Sequence, residues 1–459
     1  MTRLSTPIAL AATTTLGLCA TASAVEGGNE TLAKIAELKR EIATLNGEAT
    51  PWLTEERAAE IRSIVQDVLA DADTRSSLQG ASATSGYNGG FFMSSADGNY
   101  SMKINVLEQI RYTFDDNQQS TGATGGGGKL PAGGVTTGET YGFENKRTRL
   151  TFGGNMVDAT WSYKLGYYLG YSNSVEDFGA GQLSDAFVQK DFECGASMTI
   201  GQFKLPFTAE YDIDVGNLQF MDYSTVDSFY RAGYGQGLRF DYESEMVRFA
   251  VAYVNSLHDA NSDWGPGTPA DQYAFSGRVD LKFAGNWGQF NHGQSWRGDG
   301  YGVKVGAGAY TLSENAAPGT DVTGLTVDTA VNFGGANLAA AYYYASQNDT
   351  GVPGADEAHP NGVVISGGYF VTDNLELVAR WESASEDINL GGAQDFSAMT
   401  AGGNWYFSRN QAKFSADFGY AFDAVSVIYA PYAIGNDWVE DPANQDGQWM
   451  LRGQLSFSF

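Results

Sequence analysis

The sequence predicts an all-β membrane protein, a 16-stranded antiparallel transmembrane β-barrel with a short N-terminal helical or coiled-coil segment. Side chains alternate between apolar and polar in sixteen segments after residue 86. The connections between these segments alternate between long and short, as they do in transmembrane barrels. The last segment, MLRGQLSFSF, keeps its alternation up to the terminal Phe459. Soluble β-sandwiches also alternate apolar and polar side chains along their strands, but they do not alternate long and short loops over so many strands.

Composition excludes some classes of partner. The chain has 459 residues, with 54 acidic and 27 basic side chains, a net charge of −27 and a pI of about 4.3. A nucleic-acid partner requires a basic footprint, so we expect none. Glycine is abundant, with 58 residues, and aromatic residues make up 13%. This composition fits many strands and turns better than a helical bundle.

The N-terminus has the features of a secretory signal peptide, residues 1–24. Arg3 supplies a basic start, an apolar stretch runs over 7–18, and Ala22-Ser23-Ala24 forms a small-residue cleavage site. No later run of about 18 apolar residues follows, so the sequence predicts no transmembrane helix. Removal of the signal leaves Cys194 as the single cysteine, which cannot form an intrachain disulfide. Export without such a helix leaves the periplasm, the medium or the outer membrane as destinations.

Residues 25–85 are predicted to form a periplasmic helical or coiled-coil segment. Apolar residues with three-four-three spacing form a seam of about two heptads; they are Ile35, Leu38, Ile42 and Leu45. Thr54 is placed to cap a second helix, whose apolar stripe includes Ile61, Ile64 and Val68. The alternatives are an oligomeric stalk and a helical hairpin that packs on itself.

Residues 86–459 carry the predicted strands of the barrel domain. In the first strand, Leu107 and Glu108 interrupt the alternation. The connection 284–300 is seventeen residues long where a short turn is expected, which raises the alternative that a strand is misplaced there. The segments are 100–114, 143–152, 161–171, 182–190, 196–203, 235–242, 246–255, 272–283, 301–312, 321–333, 336–346, 362–371, 375–385, 395–407, 411–422 and 448–459.

The final strand is predicted to close the barrel, with its apolar row toward lipid and its polar row toward an aqueous lumen. We interpret Phe457 and Phe459 as the assembly signal that the barrel-assembly machinery recognises in the C-terminal strand. An even number of strands returns the chain end to the side where it began.

Four stretches resemble the bacterial outer-membrane phosphate-selective porin O and P family. They are GFFMSSADGNYSMKINVLEQIRY, ENKRTRLTFGGNM, MTIGQFKLPFTAEY and the terminal LRGQLSFSF. The resemblance covers about residues 89–459. It implies a sixteen-stranded trimeric barrel that passes small anions. The helical prefix resembles the leader of some divergent porins of this kind.

A porin selects solutes by the width of its pore and the charge of its lining. Strand parity places six acidic and thirteen basic side chains on the polar face, an excess of seven positive charges. A lipid-facing Arg or Lys would cost about 2–4 kcal/mol near mid-bilayer, so these residues should face inward. The alternative is that the lumen charges mainly pair with each other. The predicted pore-lining basic residues are Lys103, Arg111, Arg147, Arg149, Lys164, Arg239, Arg248, Arg278, Lys282, Lys304, Arg380, Lys413 and Arg452.

The segment 204–234 is predicted to fold into the pore as a constriction loop. Its carboxylates argue against a dedicated phosphate site, which requires clustered Arg or Lys donors. The loop could therefore also favour cations or sugars. Its tyrosines suit either a sugar path or packing of the loop. The candidate residues are Lys204, Glu210, Tyr211, Asp212, Asp214, Tyr230 and Arg231.

Taken together, these patterns predict an outer-membrane porin for passive diffusion of small hydrophilic solutes, with a mild preference for anions such as phosphate. Non-selective or sugar-preferring diffusion is one alternative, and an envelope anchor whose prefix 25–85 contacts the cell wall is another. We expect outer-membrane lipid and a homotrimer as the surroundings. No enzyme, cofactor or metal site is predicted, since the histidines lie in loops without ligand spacing; they are His258, His292 and His359.

Overall fold

The computed structural model divides the chain into two compact units, Met1–Gly80 and Ala81–Phe459. In the first unit it describes only helical residues, which lie inside the predicted prefix; the signal peptide and most of the apolar seam fall outside the described residues. Among the described residues, no helix is both long enough and apolar enough to cross a membrane. The described residues are 34, 36–41, 44, 59, 60, 63–66, 83–116, 139–171, 182–258, 272–314, 320–349, 358–385, 395–425, 429, 436–439 and 446–459.

Sixteen long strands, β3 to β18, form a closed antiparallel barrel. Each strand pairs with the next, and β18 pairs with β3. Every segment predicted from the alternation lies on one of these strands, so the predicted fold is confirmed. The strands are β3 Ser101–Asp116, β4 Glu139–Met156, β5 Asp158–Tyr171, β6 Gln182–Asp191, β7 Ala196–Lys204, β8 Tyr234–Glu243, β9 Val247–Val254, β10 Gln272–Ala284, β11 Gly302–Glu314, β12 Thr320–Asn332, β13 Ala336–Asp349, β14 Asn361–Phe370, β15 Leu375–Ser385, β16 Phe396–Ser408, β17 Ala412–Ala421 and β18 Trp449–Ser458.

The last residue of the chain takes part in closing the barrel. Leu455 lies opposite Ile110 in the β18–β3 pair. Beyond β18, the backbone N–H of Phe459 donates to the Val106 carbonyl at 3.0 Å, and the Val106 N–H donates to the Phe459 carbonyl at 2.7 Å. The terminal backbone is therefore held in the sheet, which accounts for an alternation that continues to the end of the chain. We call the barrel end that carries Phe459 the terminal rim and the opposite end the loop rim.

A short hairpin that the alternation did not reveal precedes the barrel. It consists of β1 (Thr84–Tyr87) and β2 (Phe91–Ser94). β2 pairs with β3, with Phe91 opposite Ile104. Because β18 pairs with the same edge of β3 farther along, β2 continues the line of β18 at the terminal rim. Strands of four residues are too short to give a clear period-two pattern.

Side chains alternate between a lipid-type exterior and a packed interior. In β15, Leu377 and Trp381 are exposed on the outside, whereas Arg380 and Glu382 are buried inside. The same division holds in β18, where Leu451 is exposed and Arg452 is buried. Apolar exteriors with polar interiors are the pattern of transmembrane barrels.

The long connection between β10 and β11, residues 285–301, folds into the barrel interior. A 3₁₀ helix, Trp287–Phe290, begins with a capping box between Asn286 and Gln289. The Gly293 N–H then donates to the Asn217 carbonyl at 3.1 Å, and Gln294 Nε2 donates to the Leu218 carbonyl at 2.9 Å. Both flanking strands are in place, so the alternative of a misplaced strand is wrong. The connection is long because it meets another inserted loop.

That loop, loop L3, comprises residues 205–233 and fills much of the interior. It contains α1 (Ala209–Asp212), capped by Thr208, and α2 (Thr225–Tyr230), capped by Ser224. α2 packs against β13, β14 and β15, and Val226 and Tyr230 are fully buried there. Described parts of a second loop, loop L8 (422–448), also enter the interior, where Tyr429 and Trp438 are buried.

Candidate permeation site

The thirteen predicted pore-lining residues all occupy inward-facing positions of their strands, as the burial alternation and strand registers place them. Ten of them form ion pairs with carboxylates, so their charges are largely neutralised; these are Arg111, Arg147, Arg149, Lys164, Arg239, Arg248, Arg278, Lys304, Arg380 and Arg452. The alternative stated from the sequence was that the charges in the lumen mainly pair with each other. This alternative holds for most of the predicted pore-lining residues.

Asp222 of loop L3 is the centre of the most buried group of cations. It accepts hydrogen bonds from Arg111 at 2.6 Å, Arg147 at 2.8 Å and Arg452 at 3.1 Å. Burial alone would raise the pKa of Asp222, but the guanidinium groups of Arg111 and Arg147 outweigh it and hold the pKa far below its usual range. Loop L3 is thus anchored to β3, β4 and β18 by a charged carboxylate.

Asp437 of loop L8 occupies the other side of the same cations. Its carboxylate accepts from Arg111 at 2.5 Å and from Lys146 at 2.6 Å, and lies 3.5 Å from Arg452. Lys146 was not among the predicted pore-lining residues. The β3–β4 register shifts between Gln109 and Ile110, so that both Lys146 and Arg147 point inward. A β-bulge of this kind breaks strand parity and is not visible in the sequence pattern.

A second set of ion pairs lies on β10, β11 and β12. Arg278 donates to both Asp280 and Asp328, at 2.6 and 2.7 Å, and Lys304 lies 3.3 Å from Asp280. Arg278 also donates to the Phe207 carbonyl of loop L3 at 2.9 Å. These residues therefore hold the start of loop L3 against the wall.

Glu376 on β15 organises the interior near the terminal rim. Its carboxylate accepts from Gln219 of loop L3 at 2.7 Å, from Tyr406 at 2.6 Å and from Asn404 at 3.0 Å. Lys413 on β17 donates to the Leu218 carbonyl at 2.6 Å and is fully buried. Here the wall residues serve to bind loop L3 and have no access to solvent.

Lys164 on β5 and Arg239 on β8 retain more contact with solvent than the inward cations of β17 and β18. Lys164 pairs with Asp185 at 3.1 Å while 37% of its side chain stays exposed. Arg239 pairs with Asp241 at 2.6 Å, with exposures of 22% and 25%. Arg149 reaches Asp214 of loop L3 at 2.8 Å. The solvated part of the interior is therefore eccentric, on the side away from the buried cations of β3, β17 and β18.

Three predicted residues lie toward the terminal rim. Arg248 pairs with Glu243 at 2.7 Å and covers the Trp287 ring at 4.6 Å. Lys282 donates to the Gly285 carbonyl at 3.0 Å and also lies over Trp287. Lys103 of β3 lies beside the β1–β2 hairpin, near Gly89.

The tyrosines of loop L3 are packing residues. Tyr211 is buried between Lys204 and Arg231, whose charged groups lie 4.4 and 4.5 Å from its ring centre. Burial raises the pKa of Tyr211 above its usual range. Tyr230 is buried against Tyr343 of β13. The sequence left open the alternative that these tyrosines line a path for sugars. Tyr211 and Tyr230 are buried, so they offer no exposed aromatic surface to a sugar.

The acidic residues of loop L3 have different environments. Glu210 accepts from the backbone N–H and hydroxyl of Ser224, at 2.8 and 2.9 Å, and lies 3.5 Å from Arg380. Asp227 is fully buried and accepts from the Tyr343 hydroxyl at 3.2 Å. Burial, assisted by the Glu210 carboxylate, raises the pKa of Asp227 to about 7. Asp212 is exposed to solvent.

Comparison with known proteins identifies the chain's family. The model of the family "Phosphate-selective porin O and P" matches residues 127–421. The chain belongs to this family. It is therefore an outer-membrane porin.

Solved structures share the porin's fold at low identity. An anion-selective porin from Comamonas acidovorans matches with a TM-score of 0.52 and 10% identity, covering 78% of this chain and 99% of that one. OmpT, an outer membrane protein of Vibrio cholerae, matches with a TM-score of 0.51 and 14% identity, covering 82% and 99%. No curated protein sequence matches significantly. At these identities the structures establish the barrel fold alone.

The sequence count overestimated the positive excess of the porin's interior. Asp115 and Asp185 of the strands are buried inside as well, and were not counted. Loops add further acidity to the interior through Asp214, Asp222 and Asp437. Long-range packing decides which residues of a loop enter the barrel. The alternation of apolar and polar residues therefore does not predict them.

Loop L3, the 285–301 turn and strands β11 to β14 enclose a cavity of about 110 Å³. Its wall side is formed by small residues, including Ala330, Ala339 and Ser366, while Glu210 and Lys304 contribute charges. Small side chains at these inward positions leave the space that larger residues fill elsewhere in the porin.

Proposed function

We propose that this porin conducts small solutes by passive diffusion with a mild preference for anions, through the solvated passage between loop L3 and strands β4 to β8. Lys164 is the observation that carries the proposal: it faces this passage with 37% of its side chain exposed. Arg149 and Arg239 border the same passage. A lining of one predominant sign concentrates counter-ions and raises their entry rate.

The preference is mild because each of these cations has a carboxylate neighbour. Paired charges give a weak field in a solvated passage, since water and salt screen them. Lys204 adds a charge that forms no salt bridge within the described part of the chain, although the Asp214 carboxylate lies near enough to interact with it electrostatically. Its ammonium donates to the carbonyls of Tyr211 and Ile213 and to the Tyr223 hydroxyl. The net charge of the side chains that line the passage therefore stays positive. It is far smaller than the excess of positive charge that was counted on the strands alone.

The zero-current potential of the purified porin in a planar bilayer under a KCl gradient tests this proposal. A potential shifted toward the chloride equilibrium value supports anion preference. A potential shifted toward the potassium value contradicts it and assigns selectivity to the acidic side chains of loop L3, such as Asp212 and Asp214. A potential of zero contradicts any preference and leaves non-selective diffusion.

We propose that the porin functions as a homotrimer and that the outer faces of β3 and β4 meet another subunit. Away from the strand ends, Glu108 is the only carboxylate or basic side chain that faces outward among the described strand residues, and it accepts from Thr148 at 2.7 Å. A charged side chain that faces lipid is costly. A subunit contact would remove it from lipid.

We also propose that the terminal rim faces the periplasm, and that residues 25–85 lie in that compartment and assist assembly or contact the cell wall. Helical residues at 36–41 and 63–66 support this. Deletion of 25–80 should leave single-channel conductance unchanged while loosening attachment to the envelope. Loss of trimers on deletion would instead identify the prefix as an assembly clamp.

A further inference from the structure

Three carboxyl groups lie around the first turn of α2 in loop L3. Glu210 of α1 accepts from the N-cap of α2, and Glu382 of β15 accepts from the Val226 N–H at 3.0 Å. Asp227, within the helix, accepts from the Tyr343 hydroxyl at 3.2 Å. Asp227 and Glu382 are almost completely buried. Carboxyl groups that lie close together in a buried site do not all ionise at once.

Two cations face these three carboxyl groups. Arg380 of β15 lies 3.5 Å from Glu210 and 3.8 Å from Glu382. Arg231, which follows α2, acts on Asp227 electrostatically. If all three carboxyl groups were ionised, the buried group would keep a net negative charge. Binding of one proton removes this excess.

Asp227 is the carboxyl group that holds this proton. Its Oδ2 atom is buried and has no hydrogen-bond partner in the part of the chain that the structure describes. The hydroxyl groups of Thr208 and Tyr343 face the carboxyl group, but they carry no charge. Burial and the neighbouring Glu210 carboxylate raise the pKa of Asp227 to about 7.

The other elements that pack against α2 leave this balance of charge unchanged. Loop L8 places the Tyr429 ring and the Asn436 amide against the helix. On β12, Asp328 lies near Tyr343, and its charge is paired with that of Arg278 at 2.7 Å. These contacts consist of uncharged groups and one complete ion pair.

The segment 223–231, which contains α2, is anchored at both of its ends. On one side, Asp222 is held by the guanidinium groups of β3, β4 and β18. On the other side, the Gly233 carbonyl accepts from the Leu205 N–H at 2.9 Å. The helix between these anchors can therefore leave the wall while the rest of loop L3 stays in place.

Two opposing effects act on α2 where it contacts the wall. Val226 and Tyr230 are fully buried against β13, β14 and β15, and burial of their apolar surface favours the docked position. Ionisation of Asp227 opposes docking, because the charge would remain buried beside other carboxyl groups. Protonation of one side chain therefore shifts the balance between the docked and the released position.

We propose that Asp227 is a proton-controlled lock on loop L3: its protonated form keeps α2 docked on β13, β14 and β15, and its ionised form releases α2 and widens the interior on that side. The lock goes beyond the ion preference proposed above and does not depend on it. The pKa of Asp227 is raised in the docked position, so docking is most stable below about pH 4, where the carboxyl group is protonated in both positions. Its stability falls about tenfold per pH unit until the pH reaches the raised pKa of about 7, and is constant above it.

The test places a thiol on the buried face of α2 with V226C and uses the exposed Cys194 as an internal reference. The measured quantity is the labelling rate at position 226 by a methanethiosulfonate reagent, divided by the rate at Cys194, with both sites resolved by mass spectrometry. The ratio cancels the ordinary pH dependence of thiol reactivity. We expect it to rise at least tenfold from pH 5 to pH 7, within the roughly 100-fold that two pH units allow. In V226C/D227N it should keep its acid value at both pH values.

A ratio that stays constant in V226C would overturn the proposal, as would an equal rise in V226C/D227N. Absence of labelling at position 226 at every pH would also overturn it, since α2 would then stay docked. V226C/Y343F gives an independent check if D227N does not fold. Phenylalanine keeps the ring that packs on Tyr230 but removes a hydroxyl that favours the ionised Asp227, which raises the pKa of Asp227 further. The rise should then continue above pH 7, and a rise that ends at or below pH 7 would contradict the lock.

Single-channel conductance tests whether release of α2 widens the interior. In about 1 M KCl, where exposed charges are screened, the native porin should conduct more at pH 7 than at pH 5. D227N should keep the lower value at both pH values, and D212N, which removes an exposed carboxylate of the same loop, should behave like the native porin. Release of α2 without a rise in conductance would refute the widening. A native zero-current potential on the potassium side, with a labelling ratio that still depends on Asp227, would refute the anion preference and leave the lock.

Discussion

The substitution D222N tests whether loop L3 is anchored by buried charge. Asp222 is 1% exposed and contacts three guanidinium groups within 3.1 Å. Removing one partner of a buried ion pair costs about 3–5 kcal/mol, because a charge is left without compensation. Arg111 and Arg452 retain Asp437 and Asp417, so we expect the lower end, about 3 kcal/mol.

The assay is urea unfolding of the porin in phospholipid vesicles, followed by tryptophan fluorescence. D212N is the control, since an exposed carboxylate should change the free energy of unfolding by less than about 0.5 kcal/mol. If D222N and D212N unfold at the same urea concentration, the reasoning is refuted. The pKa of Asp222 is lowered, so its contribution should persist on acidification and disappear only below about pH 4.

Three further predictions concern other parts of the porin. D227N should become increasingly more stable than the native protein from about pH 4 to pH 7, because the raised pKa of Asp227 makes its ionisation destabilising over this range; a pH-independent difference in unfolding midpoints would contradict this. E108L should lower the melting temperature of the trimer on semi-native gels, whereas unchanged or greater stability would place Glu108 against lipid. Cys194, exposed in the turn between β6 and β7, should react with a large polyethylene-glycol maleimide only after the outer membrane is disrupted; reaction on intact cells would reverse the proposed orientation.

Period-two alternation was sufficient to locate all sixteen barrel strands. This works because each strand separates lipid from a polar interior, so the chemical contrast between successive residues is large. The β1–β2 hairpin was missed since four-residue strands show too few alternations. The 285–301 turn was misjudged because its length reflects contacts with Asn217 and Leu218, which are distant in the sequence.

The site was less predictable than the fold. Parity identified Arg111 and Arg147 as inward-facing, but the bulge at Lys146 added a cation that parity assigns to the outside. No local pattern shows that Asp222 and Asp437 return to neutralise them, because those contacts join residues more than seventy positions apart. Sequence therefore predicts which charges face the interior but not which of them stay in contact with solvent.

The most direct test of an eccentric passage compares two lysines that both face inward. Lys164 borders the solvated side, whereas Lys413 is buried behind loop L3. The measurement is the zero-current potential of K164Q and K413Q under the same KCl gradient. The account predicts a shift toward the potassium value in K164Q and no shift in K413Q, and an equal or larger shift in K413Q would contradict it.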